Sequence, residues 1–286
     1  MILETVFPIF LIIIIGFLIG KLKKIDLKPL TQLIIYLAAP CLIFSSVSKS
    51  DVSLPDFLLV ALSMGLVIVI SGFILFLIFK TTKSNKLGLY LPMTIGNTGY
   101  LGYPIALFAF GAAGLSQAVI ADITSSFFLY SAGIFIIHHE NDWKEIFKVP
   151  LIYAVVGGII YNLLKIPLPL TISRPIEMIG AITIPLALLI LGYRLTEIKI
   201  TSVKTTLLAS AFKIAGCLSI AVIIVKLLSI TGLSRNIILL QAAMPSAVMS
   251  MILTEKYQRD SELVASIILV STLLSLITIP LVLWFL

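Results

Sequence analysis

The sequence predicts an all-α integral membrane protein of ten transmembrane helices, arranged as two inverted five-helix repeats with broken, crossing helices 4 and 9. Three observations predict it. Of 286 residues, 60% are hydrophobic and 12% charged, and the mean hydropathy is +1.18, far more apolar than a soluble domain of this length. The apolar runs divide the chain into ten segments of about 17–25 residues, the length that crosses roughly 30 Å of hydrocarbon. Lysine and arginine alternate sharply between loops, with fourteen after spans 1, 3, 5, 7 and 9 and five in the opposite loops.

The spans are expected at 4–20, 29–47, 56–79, 87–110, 114–137, 149–164, 174–192, 203–230, 235–254 and 261–286. They use up the chain, leaving no room for a soluble enzymatic or nucleic-acid-binding domain. The net charge of +7 therefore reports orientation: the lysine-rich loops are cytoplasmic and both termini face outward, in a multi-pass protein of the cell membrane. The first span is not a signal peptide, because Glu4 precedes the apolar run and Lys21, Lys23 and Lys24 follow it.

A repeat is visible when the halves 1–141 and 142–286 are compared at a shift of 142 to 145 residues. Pro8, Gly16 and Lys23 fall on Pro150, Gly158 and Lys165. Pro40 falls near Pro185, and Asn97 near Gln241. Each half holds five spans, an odd number, so the second half enters the membrane from the opposite side.

The two halves also carry a broken hydrophobic segment each. The first runs from Leu91 to Pro104 and contains Gly96-Asn97-Thr98-Gly99; the second runs from Gln241 to Ser250. A helix broken in lipid frees N–H and C=O groups that hydrocarbon cannot satisfy, so such breaks persist only where protein or a polar cavity covers them. Gly96 and Gly99 let the backbone leave the helix and approach a solute, while Asn97 and Thr98 offer donors and acceptors. Pro104 and Pro245 each leave a carbonyl one turn earlier without its usual partner. Gln241, Ser246 and the adaptable Met244 supply the second half of the expected site.

An isolated charge at the bilayer centre costs at least about 2.5 kcal/mol, so intramembrane ionisable groups are functional candidates. Asp122 in span 5 and Lys213 in span 8 are such groups. They read either as a structural ion pair, or as a coupling-ion or proton site (Asp122) with a charge-balancing cation (Lys213); Lys213 could instead snorkel toward the cytoplasm. Glu255 is a candidate at the inner mouth, whereas Glu177 sits near a span end. Gly16-Phe-Leu-Ile-Gly20 fits close helix packing, within the chain or in a dimer. Cys41 and Cys217 have no metal or redox spacing, and His138-His139, with Glu140, Asp142 and Glu145 nearby, reads as an interfacial hook rather than a metal site.

The segment Asn97-Thr-Gly-Tyr-Leu-Gly-Tyr-Pro104, the Gln241–Ser250 segment and Glu255-Lys-Tyr257 resemble the crossover segments of the auxin efflux carrier family, over essentially the whole chain. Its prokaryotic members include carriers of malate, malonate and related acids. The resemblance implies a scaffold of spans 1, 2, 6 and 7, a transport domain of spans 3–5 and 8–10, and a homodimer. It assigns anion contact to Asn97 and the crossover role to Pro104 and Pro245. The chain lacks the long central loop of plant members and has no asparagine beside Pro245, so auxin itself is not the expected substrate. An intramembrane enzyme would need converging nucleophile, base or metal ligands, and a channel a continuous polar lining; the sequence offers neither. The expectation is a secondary carrier of a small organic anion, without catalytic residues, metal or cofactor, coupled to Na⁺ or H⁺.

Overall fold

Without water to satisfy them, backbone groups in apolar segments must bond within their own segment, and the helix is the solution open to a single stretch of chain. The computed structural model describes residues 2–50, 53–138, 150–165 and 168–286. Helices form nearly all of them, and among the described residues there is no strand beyond one isolated bridge. His139, Glu140, Asp142 and Glu145 lie outside the described residues, while the His138 ring packs on Tyr257 with centroids 4.5 Å apart.

In chain order the helices are α1 (Ile2–Leu22), α2 (Lys28–Ser48), α3 (Leu54–Thr82), α4 (Tyr90–Thr94), α5 (Gly102–His138), α6 (Leu151–Leu164), α7 (Leu170–Leu195), α8 (Val203–Leu227), α9 (Gly232–Ala242), α10 (Val248–Lys256) and α11 (Ser261–Phe285). Six of them, α2, α3, α5, α7, α8 and α11, are long and apolar enough to cross a membrane, and Val6–Leu22 and Leu151–Leu164 are shorter apolar helices. Ser53 caps α3, its hydroxyl accepting the Asp56 N–H at 3.3 Å. The helical dihedrals of α5 are interrupted at Gly111, where φ is 68° and ψ −162°, a conformation open to glycine and hardly to any other residue. That interruption falls between the expected ends of spans 4 and 5.

Three helices carry a π-helical turn, in which one extra residue loosens the ladder: Ile34–Ala38 in α2, Leu129–Gly133 in α5 and Phe212–Gly216 in α8. Such turns concentrate at functional sites, and all three face the same region, described below.

The helices pack in two groups. α1 lies along the second half of α7, and α2 packs between α6 and the first half of α7. The backbones touch: a Cβ built on Gly192 would lie 1.9 Å from the Ile13 carbonyl oxygen, and one on Gly16 would lie 2.2 Å from that of Leu189. Gly16-xxx-Gly20 is thus an internal contact. The second group is α3, α5, α8, α9, α10 and α11, with α3 and α9 against α5 and α8, and α11 against α8 and α10. The groups meet along a seam where α5 touches α1 and α2.

Candidate functional site

The first break is the non-helical stretch between α4 and α5, and the second lies between α9 and α10. They meet, pairing as a one-rung antiparallel bridge between Gly96 and Ser246. The Asn97 N–H donates to the Pro245 carbonyl at 2.7 Å, and the Ala247 N–H to the Ile95 carbonyl at 3.1 Å. Breaking both helices frees these four groups, and each break satisfies the other. The joint is pinned further by Ser246, whose hydroxyl donates to the Pro92 carbonyl at 2.6 Å and whose N–H reaches the Ser271 hydroxyl at 3.1 Å.

The glycines at the joint make space rather than supply unusual dihedrals, because neither Gly96 nor Gly99 has positive φ. A Cβ on Gly96 would come within 3.3 Å of both the Lys213 ammonium and the Met244 side chain; one on Gly99 would meet both Asp122 carboxylate oxygens at 3.2 Å. A buried cation and a carboxylate therefore flank the first break. They form no ion pair: Lys213, 1% exposed, donates to the Ala242 carbonyl at 3.1 Å, at the C-terminal end of α9, where the helix dipole favours a cation. It does not snorkel. Asp122 accepts the Thr98 hydroxyl at 2.5 Å and the Tyr103 hydroxyl at 2.8 Å. The carbonyl freed by Pro245, that of Gln241, is taken by the Met244 N–H at 3.3 Å, and the carbonyl of Pro245 itself by the Asn97 N–H, so neither is the free ligand expected there.

A cavity of about 100 Å³ opens beside the joint. Gly96, Asn97, Thr98, Gly99 and Asp122 line it, with Tyr100, Ser125, Ser126 and Tyr130 adding polar groups, and Ile35, Leu129, Val248 and Met249 adding apolar ones. The Asn97 side-chain Nδ2 is buried with no hydrogen-bond partner, a state that costs free energy until something accepts from it. Two of the three π-helical turns contribute to this lining through Ile35, Leu129 and Tyr130, and the third carries Lys213.

A family described as membrane transport protein matches residues 1–142 and 137–283 of this chain. The chain belongs to that family, the auxin efflux carriers. A protein named as an uncharacterized transporter from Methanocaldococcus jannaschii is 29% identical over 303 residues, covering 99% of this chain and 98% of its own length. Another, from Methanothermobacter thermautotrophicus, is 28% identical over 291 residues, covering 97% of this chain and 96% of its own.

In this membrane transport protein the remaining sequence candidates fall outside the cavity. Gln241, Met244 and Ser246 are buried behind the joint; the Gln241 amide lies against Gly102 and has no partner at either Oε1 or Nε2. Pro104 is buried in the first turn of α5, one turn past the break. Glu255 lines a different cavity of about 420 Å³, with Arg194, Glu197, Lys199 and Glu262. Tyr100, Ser125, Ser126 and Tyr130 were not anticipated. Serines and tyrosines are ordinary in membrane helices, and only the fold turns these toward the joint.

Proposed function

We propose that the protein is a secondary carrier that moves a small organic anion, such as a carboxylate, through the cavity at the crossed breaks by alternating access. The observation that carries this is the joint itself: two interrupted helices paired backbone to backbone beside a cavity that holds the unpartnered Asn97 amide. Ten crossings in two inverted repeats, 1–141 and 142–286, would give that joint its two-sided character. The two packing groups support an elevator-like motion of α3, α5 and α8–α11 against α1, α2, α6 and α7. Substrate-binding roles go to Gly96, Asn97, Thr98 and Gly99, with Gln241, Met244 and Ser246 shaping the joint from behind and Pro245 supplying its crossover carbonyl. Cell-membrane placement with both termini outside follows the lysine distribution, and a homodimer follows the family.

A second feature favours coupling. Asp122 puts a carboxylate into the cavity that an anionic substrate must enter, and like charges at that distance repel strongly away from bulk water. A proton or Na⁺ on Asp122 would remove the repulsion, and Lys213 on the other side of Gly96 would offset the substrate's charge. No cofactor is required.

Thermal stabilisation of the purified protein by a panel of mono- and dicarboxylates, with and without sodium and at two pH values, tests the proposal. At least one acid is expected to raise Tm, and Asn97→Ala should abolish the rise while Lys21→Gln, exposed in the last turn of α1, retains it. Asp122→Asn should keep the rise but erase its dependence on sodium or pH. No response to any carboxylate would overturn the anion reading; an unchanged response in Asn97→Ala would move the site away from the joint.

A further inference from the structure

A second cavity, about 410 Å³, lies on the lipid-facing side of the second packing group, between α3, α4 and the π-helical part of α5. Its lining is almost wholly apolar, and α3 contributes Val69, Gly72 and Phe76. Val69 and Phe76 are 52% and 51% exposed, so the groove is open to the bilayer. Nothing lies within 4 Å of a Cβ built on Gly72, which leaves a slot where any side chain would stand. Spacings of three and four residues place Val69, Gly72, Phe76 and Lys80 on one stripe of α3, and Lys83 follows as the left-handed cap of that helix, with φ 51°. Lys86 directly precedes Leu87, which lines the same groove. All three lysines are exposed, so a cationic end closes an acyl-sized apolar slot.

We propose that this groove is a binding site for an anionic phospholipid, with an acyl chain along the α3 slot and the phosphate held by Lys80, Lys83 and Lys86. A polybasic cluster at the membrane surface attracts anionic headgroups, and the adjoining apolar stripe converts that diffuse attraction into a defined seat. Thr94 and Ile95, at the start of the first break, line the inner end of the groove, and Ile95 also lines the cavity at the joint. The lipid would thus brace the broken helix from outside. This inference rests on the membrane setting and not on the identity of the transported solute.

The test uses the full chain in detergent, supplemented with phosphatidylglycerol, with phosphatidylcholine of the same chains, or with inorganic phosphate alone. Phosphatidylglycerol is expected to raise Tm by several degrees more than phosphatidylcholine, and phosphate not at all. The combined K80Q/K83Q/K86Q variant should erase the difference between the lipids, whereas K21Q/K23Q/K24Q, which removes equal charge elsewhere, should keep it. Gly72→Leu should block stabilisation by both lipids without lowering the lipid-free Tm. Native mass spectrometry gives an independent readout: one phosphatidylglycerol retained per wild-type chain and none in the K80Q/K83Q/K86Q variant. Equal effects of the two lipids, the same loss in the K21Q/K23Q/K24Q control, or a full lipid response in Gly72→Leu would each overturn the proposal. A rise with phosphate alone would reduce it to an adventitious ion only.

Discussion

Leucine at Gly192 or at Gly16 is expected to leave little or no folded protein to extract from the membrane. Lipid tails are as apolar as side chains, so helices associate in a bilayer through close packing and not through a hydrophobic drive. Here α1 and α7 achieve it by reciprocal contact: Gly192 rests on the Ile13 carbonyl and Gly16 on that of Leu189, with a Cβ at either position 1.9 or 2.2 Å from backbone oxygen. Backbone cannot swing away as a side chain does, so the helices must separate along their length. Overpacking of this kind costs about 3 kcal/mol or more, enough to unfold a marginally stable domain. Extraction yield, monodispersity and Tm measure it. Gly72→Leu is the counter-example, since its added side chain meets open space. A wild-type Tm in Gly192→Leu would show that the α1–α7 contact is not what holds that packing group together. Because Gly16 and Gly20 are occupied within the chain, Gly20 by Thr196, a homodimer has to use another surface.

How much of this was legible from sequence depends on how conspicuous each residue is against an apolar background. The breaks were legible because Gly, Asn, Thr and Pro cluster where hydrocarbon tolerates none of them unsupported. Asp122 and Lys213 stood out for the same reason. Their partners did not: Tyr103 looks like any membrane tyrosine until the fold brings its hydroxyl 2.8 Å from Asp122, and nothing in the chain links Lys213 to the Ala242 carbonyl, 29 residues away. The alternative of an Asp122–Lys213 ion pair was reasonable on charge alone and fails because Gly96 and its neighbours stand between the two groups. The π-helical turns were not read from the sequence, although Pro40 follows Ile34–Ala38 and leaves the Tyr36 carbonyl without its usual donor, and Gly133 ends Leu129–Gly133. Glycine was legible as a type but not in function: the glycines at the joint read as sources of backbone freedom and serve as space, while Gly111, given no role, holds the left-handed dihedral.

Cross-linking Ser46 to Ser116 is expected to stop the transport cycle. These two serines join the packing groups across the seam, with hydroxyl oxygens 3.0 Å apart and the Ser116 hydroxyl also donating to the Ser46 carbonyl at 2.8 Å. Along α5, Ser116 lies six residues before Asp122 and the cavity residue Tyr130 eight after it, about 9 and 12 Å at 1.5 Å per residue. The cavity therefore extends toward Tyr130, while the serine contact lies on the other side of Asp122, where Ser46 and Ser116 line a separate cavity of about 270 Å³. In the proposed orientation the serine contact ties the two packing groups together on the outer side of the joint. Alternating access requires that seam to part, and any relative slide of the groups must break the contact. Cysteines at both positions, with Cys41 and Cys217 replaced by alanine, are close enough to bridge. The readout needs no substrate: a cysteine at Ser126, which lines the cavity, should be labelled by an impermeant thiol reagent from both membrane faces in the reduced protein and from one face once the bridge forms. Reduction should restore both. Two-sided labelling with the bridge fully formed would mean that the seam stays closed throughout the cycle and that access to the joint runs by another route.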